Sequence, residues 1–302
     1  MSTSIAFDTS NYTTSLSLCV DGVVRENRKI PLPVDEGKRG LRQSDAVFHH
    51  TVHLSRITEG LRAGMIDCVG VSDKPRDVEG SYMPCFLSGV ACATVLADTL
   101  GVPLYRFSHQ QGHVMAALYS AGRTELYDQR LLSFHLSGGT TELLLCDGGR
   151  IECVGATLDI SAGKLIDRTG VKLGMRFPCG PSVDAAARGA EIPRVRVSMN
   201  GLDCNMSGFE NKIDKMIGNG CSEAEICAYT VGCVRSAVEG MLLGAFEKYG
   251  RLPVLFAGGV SSNSHLREYF CDKYDAIFPE PEYAQDNAAG IALLAEKEHN
   301  GR

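Results

Sequence analysis

His109 and His113 stand four residues apart in "RFSHQQGHVMAALYSAG" (106–122), at the head of a stretch with helical patterning. Side chains four apart share one helix face, so both imidazoles can reach a single metal ion. The protease form of this spacing places a glutamate directly after the first histidine, as general base. Here Gln110 and Gln111 fill the gap. An amide cannot take the proton, so a zinc protease is excluded on chemistry. Asp286, in "AQDNAAGIALLA", offers a carboxylate where the last predicted helix starts. Aspartate is a favoured helix N-cap; the other reading makes it a third, oxygen ligand facing the same cleft as the imidazoles. Two histidines and one carboxylate suit Fe(II) or Zn(II) and leave positions open for a substrate.

A second kind of chemistry is written in glycine-bearing turns. Ser137, Gly138 and Gly139 follow the apolar stretch "LLSFHL". Glycines there allow backbone N–H groups to approach an oxyanion without a Cβ in the way, although the same residues also suit a plain hairpin turn. "FAGGVSSNSHLRE" (256–268) sets Gly258 and Gly259 between a strand and a helix that begins near Asn263. That arrangement brings N–H donors and the positive end of a helix to one point. Together these turns favour an adenine-nucleotide site. His135 directly precedes the first of them. Alternation along the strand sets it with Ser133 and Ser137, away from Phe134 and Leu136. Its readings are a fourth metal ligand, a donor to a metal-bound phosphate, or a hydrogen-bonded histidine with no part in the site.

The elements that must carry these residues are duplicated. Residues 7–19 read "FDTSNYTTSLSLC" and residues 134–146 read "FHLSGGTTELLLC", with Phe, Ser, Thr-Thr, Leu, Leu and Cys coinciding at one offset. Each copy is a strand, a tight polar turn and a second alternating strand, followed by a third β segment, "VVRENRKIPL" or "IECVGATL". Asp8 and His135 occupy matching positions. After the first hairpin come a helical pattern at about 45–63, the strand "IDCVGVS", a helix near 88–100, the strand "VPLYRF" and the histidine helix. After the second come helices near 160–173, 181–189 and 222–248, the strand "LPVLFAG", a helix from about 263, the strand "DAIFP" and a helix near 287–298. The order predicts an α/β protein with the duplicated fold of actin-like ATPases, two halves each opening with a β-hairpin. The halves are expected at 1–122 and 123–302, the second with helical insertions, joined through the polar stretch 121–130.

Composition narrows the setting. The chain has 302 residues, 44% of them apolar and 22% charged, the balance of a globular protein. No unbroken apolar run approaches the roughly 20 residues of a membrane span. The start, "MSTSIAFDTS", has no basic-then-apolar signal pattern. Twelve cysteines occur without a Cys-x-x-Cys pair, which suits idle thiols in a reducing cytoplasm. Net charge is −6 with no long basic block, so a nucleic-acid substrate would need a local patch or helper subunits.

Several motifs resemble the TsaD family, the tRNA threonylcarbamoyl transferases once described as O-sialoglycoprotein endopeptidases. They are "DTS" (8–10), "HQQGH" (109–113), "LSGGTTELLL" (136–145), "GATLDISAGKLIDRTGVKLGM" (155–175), "FPCGPSVD" (177–184), "GLDCNMSGF" (201–209), "GGVSSNSHLRE" (258–268) and "DNAAGIA" (286–292). The resemblance implies one metal held by His109, His113 and Asp286. It also implies nucleotide or adenylate contacts at Ser137, Gly138, Gly139, Asp167, Gly180, Asp184 and Asn263, with Asp167 and Asp184 on ribose hydroxyls. The implied reaction moves a threonylcarbamoyl group from its adenylate to the exocyclic amine of a tRNA adenosine beside the anticodon. The chain departs from the family pattern in a longer, glycine-poor 74–90 loop, in Cys179, in Gln111 and in Lys164. These departures read as a divergent paralogue. The alternatives are a carbamoyl- or acyl-adenylate transferase with a small-molecule acceptor, and a non-catalytic nucleotide-binding partner of a family enzyme.

Overall fold

The computed structural model describes residues 2–10, 12–33 and 41–301; Asn11, in the first hairpin turn of the repeat, lies outside them. Two compact units result. The first comprises Met1–Thr124, Gly149–Ile151 and Glu282–Arg302, the second Glu125–Gly148 and Glu152–Pro281. In the first, β1 (Thr3–Asp8), β2 (Thr13–Val20) and β3 (Val23–Pro31) form an antiparallel meander. After α1 (Gln43–Ile57), β4 (Cys68–Lys74) joins β1 in parallel, and after α2 (Phe86–Leu100), β5 (Leu104–Ser108) joins β4. The sheet order is β3-β2-β1-β4-β5. Alternation divides its two faces. Ile5, Phe7, Val69 and Val71 pack with Leu54 and Ile57 of α1 and Ala93 and Ala97 of α2. Ala6 and Gly70 point the other way. The helix α3 (His109–Ser120) follows β5 with no intervening loop.

The second unit repeats the plan. β6 (Leu131–Leu136), β7 (Thr141–Asp147) and β8 (Arg150–Ala156) form its meander, and β11 (Val254–Ala257) lies parallel to β6, giving the order β11-β6-β7-β8. Between β8 and β11 stand α4 (Ala162–Lys172), α5 (Gly180–Ala187), the hairpin β9 (Ser198–Asn200) with β10 (Asp203–Asn205), α6 (Gly208–Gly218) and α7 (Glu223–Tyr249). After β11 come α8 (Ser264–Tyr274) and the short α9 (Pro281–Ala284). The expected strand "DAIFP" is reduced to one bridge, Leu255 with Ile277. Ile277 exchanges both of its backbone hydrogen bonds with β11, but Pro279, two residues on, has no N–H to extend the ladder. The core of this unit, mainly aliphatic, holds an aromatic group: Phe256 stacks on Phe134 and Phe278 at centroid distances of 5.1 and 4.3 Å and also meets Phe270 at 5.0 Å. The helix α7 is long and apolar enough to cross a membrane by length and composition, and 83% of its most apolar window is buried inside the protein.

The last helix, α10 (Ala289–His299), packs on β1, β2 and β4 and against α3, so residues after 281 return to the first unit rather than completing the 123–302 stretch. Small residues permit this. A Cβ on Gly70 would lie 2.9 Å from Ala295 Cβ, and one on Gly290 would lie 1.9 Å from the Gly112 carbonyl oxygen. α3 and α10 therefore meet backbone to backbone where each carries or adjoins a candidate ligand.

Candidate metal centre and phosphate turns

The first residue of α3 is His109, and Ser108 caps the helix. The Ser108 hydroxyl accepts the Gln111 N–H at 3.2 Å, and Gln111 Oε1 accepts the Ser108 N–H at 2.8 Å, a reciprocal capping box. Gln111 is thus structural, and its amide nitrogen donates to the Gly149 carbonyl at 3.1 Å. The long loop after β4 also meets this helix start, since the Gln110 N–H donates to the Pro75 carbonyl at 3.3 Å.

One helical turn brings the two histidines together. Their Nε2 atoms are 2.9 Å apart, and Asp286 Oδ1 is 3.4 Å from each. Asp286 does not cap α10: Asn287 Oδ1 accepts the Ala289 N–H at 3.0 Å, and the Asp286 carboxylate turns to the imidazoles. Among the described residues this is the one group of three or more His, Cys, Asp or Glu whose ligand atoms all lie within 4.8 Å of one another. A triangle with sides of 2.9, 3.4 and 3.4 Å has its corners about 1.9 Å from its centre, so an ion at ~2.0–2.2 Å from nitrogen and oxygen fits just off its plane. The donor set suits the group. Both rings are buried at 6% exposure.

Behind His109 lies a pair that the spacing of the histidines did not reveal. Asp8, at the end of β1, places Oδ2 2.8 Å from His109 Nδ1, and Ser10 Oγ lies 2.9 Å from the same nitrogen. Burial opposes charge at both Asp8 and His109. Their mutual attraction and hydrogen bonds outweigh it, holding the Asp8 carboxyl below its ordinary value and pushing the imidazole up to about 10. His113 moves down, through burial and the neighbouring His109 charge. Burial likewise opposes the charge of Asp286, but the two histidines bring its carboxyl well below the usual range. The signal for Asp8 in the sequence was its match to His135 in the repeat.

In the second unit the expected phosphate residues converge at the C-terminal ends of β6 and β11. Ser137 opens the turn, its hydroxyl accepting the N–H groups of Gly139 (3.3 Å) and Thr140 (3.0 Å). Gly138 and Gly139 are exposed with open space where a Cβ would point. The start of α4 is seated on this turn: Ser161 donates to the Gly138 carbonyl at 2.7 Å, and the Ala162 N–H donates to Thr141 Oγ1 at 2.8 Å. Gly258, at φ +88°, passes so close that a Cβ would stand 2.4 Å from the Leu136 carbonyl oxygen. Gly259 opens a single 3-10 turn to Ser262, and Asn263 caps α8 by accepting the Leu266 N–H at 3.0 Å. His135 is half-buried in β6, between Glu142 of β7 and Ala257 of β11, with its ring beside Gly258.

The remaining site residues brace these turns. Asp167 Oδ1 accepts the Cys179 N–H at 2.8 Å, and burial pushes its carboxyl up. Asp184 Oδ1 accepts the first N–H of α8, from Ser264, at 2.9 Å, and Oδ2 accepts the Ser264 hydroxyl at 2.9 Å. The carboxylate expected on a ribose is therefore already engaged by protein. Gly180 begins α5 with nothing within 4 Å of a would-be Cβ. Cys179 is buried against Gly170, where a Cβ would come within 2.3 Å of its own.

Two sheets of like order, each opening with a hairpin and followed by helices, are the actin-like ATPase fold. Solved structures agree. Component A of (R)-2-hydroxyglutaryl-CoA dehydratase from Acidaminococcus fermentans is similar at a TM-score of 0.59 and 13% identity, over 99% of this chain and 100% of that one. A ROK family glucokinase from Streptomyces griseus is similar at 0.54 and 12%, over 98% and 99%. Within that class, the family model for TsaD, tRNA N6-adenosine threonylcarbamoyltransferase, matches residues 51–293, and the chain belongs to this family. The enzyme of that name from a strain of Thermus thermophilus is 30% identical over 308 residues, covering 98% of this chain and 92% of that protein. That from Methanopyrus kandleri is 28% identical over 283 residues, covering 90% and 80%. The chain is accordingly a transferase.

Proposed function

We propose that the chain transfers a threonylcarbamoyl group from its adenylate to the exocyclic amine of a tRNA adenosine beside the anticodon, with one divalent metal, Fe or Zn, as cofactor. The observation that carries the metal dependence is the convergence of His109 Nε2, His113 Nε2 and Asp286 Oδ1, three donors whose spacing fits one ion. Bound there, the ion supplies Lewis-acid stabilisation of developing negative charge and fixes the orientation of an oxyanion. The adenylate belongs on the second unit. Its phosphate lies over Gly138 and Gly139, where no Cβ would intrude, and beside Gly259 of the Gly258–Asn263 turn, supported by the positive ends of α4 and α8. Asp167 keeps Oδ2 for a ribose hydroxyl while Oδ1 holds Cys179. In the reaction the amine nitrogen forms a bond to the carbamoyl carbon, the bond from that carbon to the phosphate oxygen breaks, AMP departs and the amine loses a proton. The net charge of −6 makes a basic helper subunit the expected source of grip on tRNA. His135 fits better as a neighbour of the phosphate turn than as a bystander, because its ring lies against Gly258. The twelve cysteines, each among the described residues, form no disulfide, which suits work in the cytoplasm.

The test supplies purified protein, metal and threonylcarbamoyl-adenylate to unmodified tRNA, with and without partner proteins, and measures modified adenosine by mass spectrometry. Modified nucleoside that disappears with His113→Ala supports the proposal. AMP release that is unaffected by tRNA, with no modified adenosine under any condition, would transfer the argument to a small-molecule acceptor.

A further inference from the structure

Asp8 is 1% exposed, and its two carboxylate oxygens have different work. Oδ1 accepts the Ser10 N–H at 2.7 Å, which fixes the plane of the carboxylate. Oδ2 stands 2.8 Å from His109 Nδ1, on the side of the ring away from the donor triangle. The other nitrogen, Nε2, faces His113 and Asp286. Ser10, also 1% exposed, flanks the ring with Oγ 2.9 Å from Nδ1, and Phe86 packs its ring edge-on to the imidazole at 6.4 Å. Asp8 is itself held, since the Ser15 hydroxyl donates to its backbone carbonyl at 3.1 Å. Thr9 binds the start of α2 through the Cys85 carbonyl and the Gly89 N–H, at 2.9 and 3.1 Å. The end of β1 is thus a rigid support aimed at one histidine.

We infer that Asp8 is the positioning residue of the metal centre: it keeps a proton on His109 Nδ1, so that the Nε2 lone pair is presented to the ion. A carboxylate behind a ligating imidazole fixes its tautomer and orientation and raises its basicity as a ligand. The inference rests on the metal reading of His109, His113 and Asp286 proposed above. Its particular claim is that metal affinity depends on the charge at residue 8, which touches no donor of the triangle other than His109.

Asp8→Asn separates the two ideas. The amide retains an oxygen for the Ser10 N–H but turns its NH2 group to His109 Nδ1. The proton then moves to Nε2, the atom the ion needs. Metal-free protein is titrated with Co(II) alone, reading its visible absorption, against wild type, Ser10→Ala and His113→Ala, and each metal-free form is also melted. The expected result is a Co(II) affinity about 10–100-fold weaker for Asp8→Asn, with the melting point of the metal-free form close to wild type. If His113→Ala loses Co(II) while Asp8→Asn binds as wild type does, the inference is overturned and the metal site survives. If wild type itself takes up no Co(II), the metal reading fails and the inference with it. Should Asp8→Asn not fold, wild type loaded with Zn(II) decides instead. Long-range 1H–15N correlations must show the His109 proton on Nδ1; a proton on Nε2 overturns the assignment.

Discussion

Substituting Gly163 by alanine tests whether the phosphate turn is held where the site requires it. A Cβ at 163 would stand 2.5 Å from the Ser137 carbonyl oxygen, 2.6 Å from Gly138 Cα and 2.8 Å from Gly138 N. Comfortable contacts begin near 3.5 Å, so α4 and the turn must separate by about 1 Å. All three obstacles are backbone, which cannot swing aside as a side chain end does. The separation would stretch Ser161 Oγ to Gly138 O and Ala162 N to Thr141 Oγ1, now 2.7 and 2.8 Å, beyond hydrogen-bond range. Overpacking costs about 1–3 kcal/mol and the two bonds about 1 kcal/mol each, against about 1 kcal/mol recovered because alanine favours a helix over glycine. The net loss of about 2–4 kcal/mol corresponds to a fall of about 4–16 °C in melting temperature for a unit of this size. Thermal unfolding followed by circular dichroism measures it, and titration with ATP or AMP should show at least tenfold weaker binding. A variant that melts within about 1 °C of wild type and binds nucleotide equally well would refute the seating of α4 on this turn.

Two further outcomes follow from charge. Glu239 on α7 accepts Tyr269 Oη, Lys273 Nζ and Tyr274 Oη at 2.6, 2.7 and 2.6 Å; burial opposes its charge, but these donors hold the carboxyl at about 2. Its folded value lies below the unfolded one, so its contribution is complete above about pH 4.5 and is lost as pH falls towards about 2; Glu239→Gln should flatten acid unfolding over that window, and an unchanged acid limb would count against it. At the proposed metal centre, the carboxylates of Asp8 and Asp286 push the His109 imidazole up despite burial, so an ion taking Nε2 would displace a proton there while Nδ1 keeps its own. Metal affinity by calorimetry should fall about tenfold per pH unit between about pH 8 and pH 6, and a flat profile would refute a proton-filled site.

What could be read from the sequence was whatever is local in the chain. The histidine pair lies on one helix turn, the duplicated hairpins announce themselves through repeated residue types, and glycines mark the turns at 137–139 and 258–259. Asp286 was ambiguous because aspartate also suits a helix start: in the structure no side chain caps α10, Asn287 Oδ1 accepts the Ala289 N–H from one position before the cap, and the Asp286 carboxylate turns to the imidazoles. The partnership of Asp8 with His109 spans 101 residues and leaves no trace in local spacing. The hairpin β9–β10 was not anticipated, since three-residue strands are too short to show alternation; helix α6 was missed although Phe209, Ile213, Met216 and Ile217 follow helical spacing. The return of α10 to the first unit depends on Gly70 and Gly290, whose missing side chains give no hydrophobic pattern. Strand "DAIFP" had the right composition, yet Pro279 limits it to a bridge.

The backbone contact of Gly112 with Gly290 bears on how sequence variants of this chain should be interpreted. Neither residue has a functional group, and neither touches an ion or a nucleotide by any reading. Yet a single methyl at 290 would drive α10 from α3, and with it Asp286 from the two histidines. In a screen scored by activity, Gly290→Ala would therefore be indistinguishable from loss of a ligand. Scored by metal content and by folding of the metal-free protein separately, it would fail both, whereas His113→Ala should fail only the first. Positions that set the spacing between helices can in this way pass for chemistry.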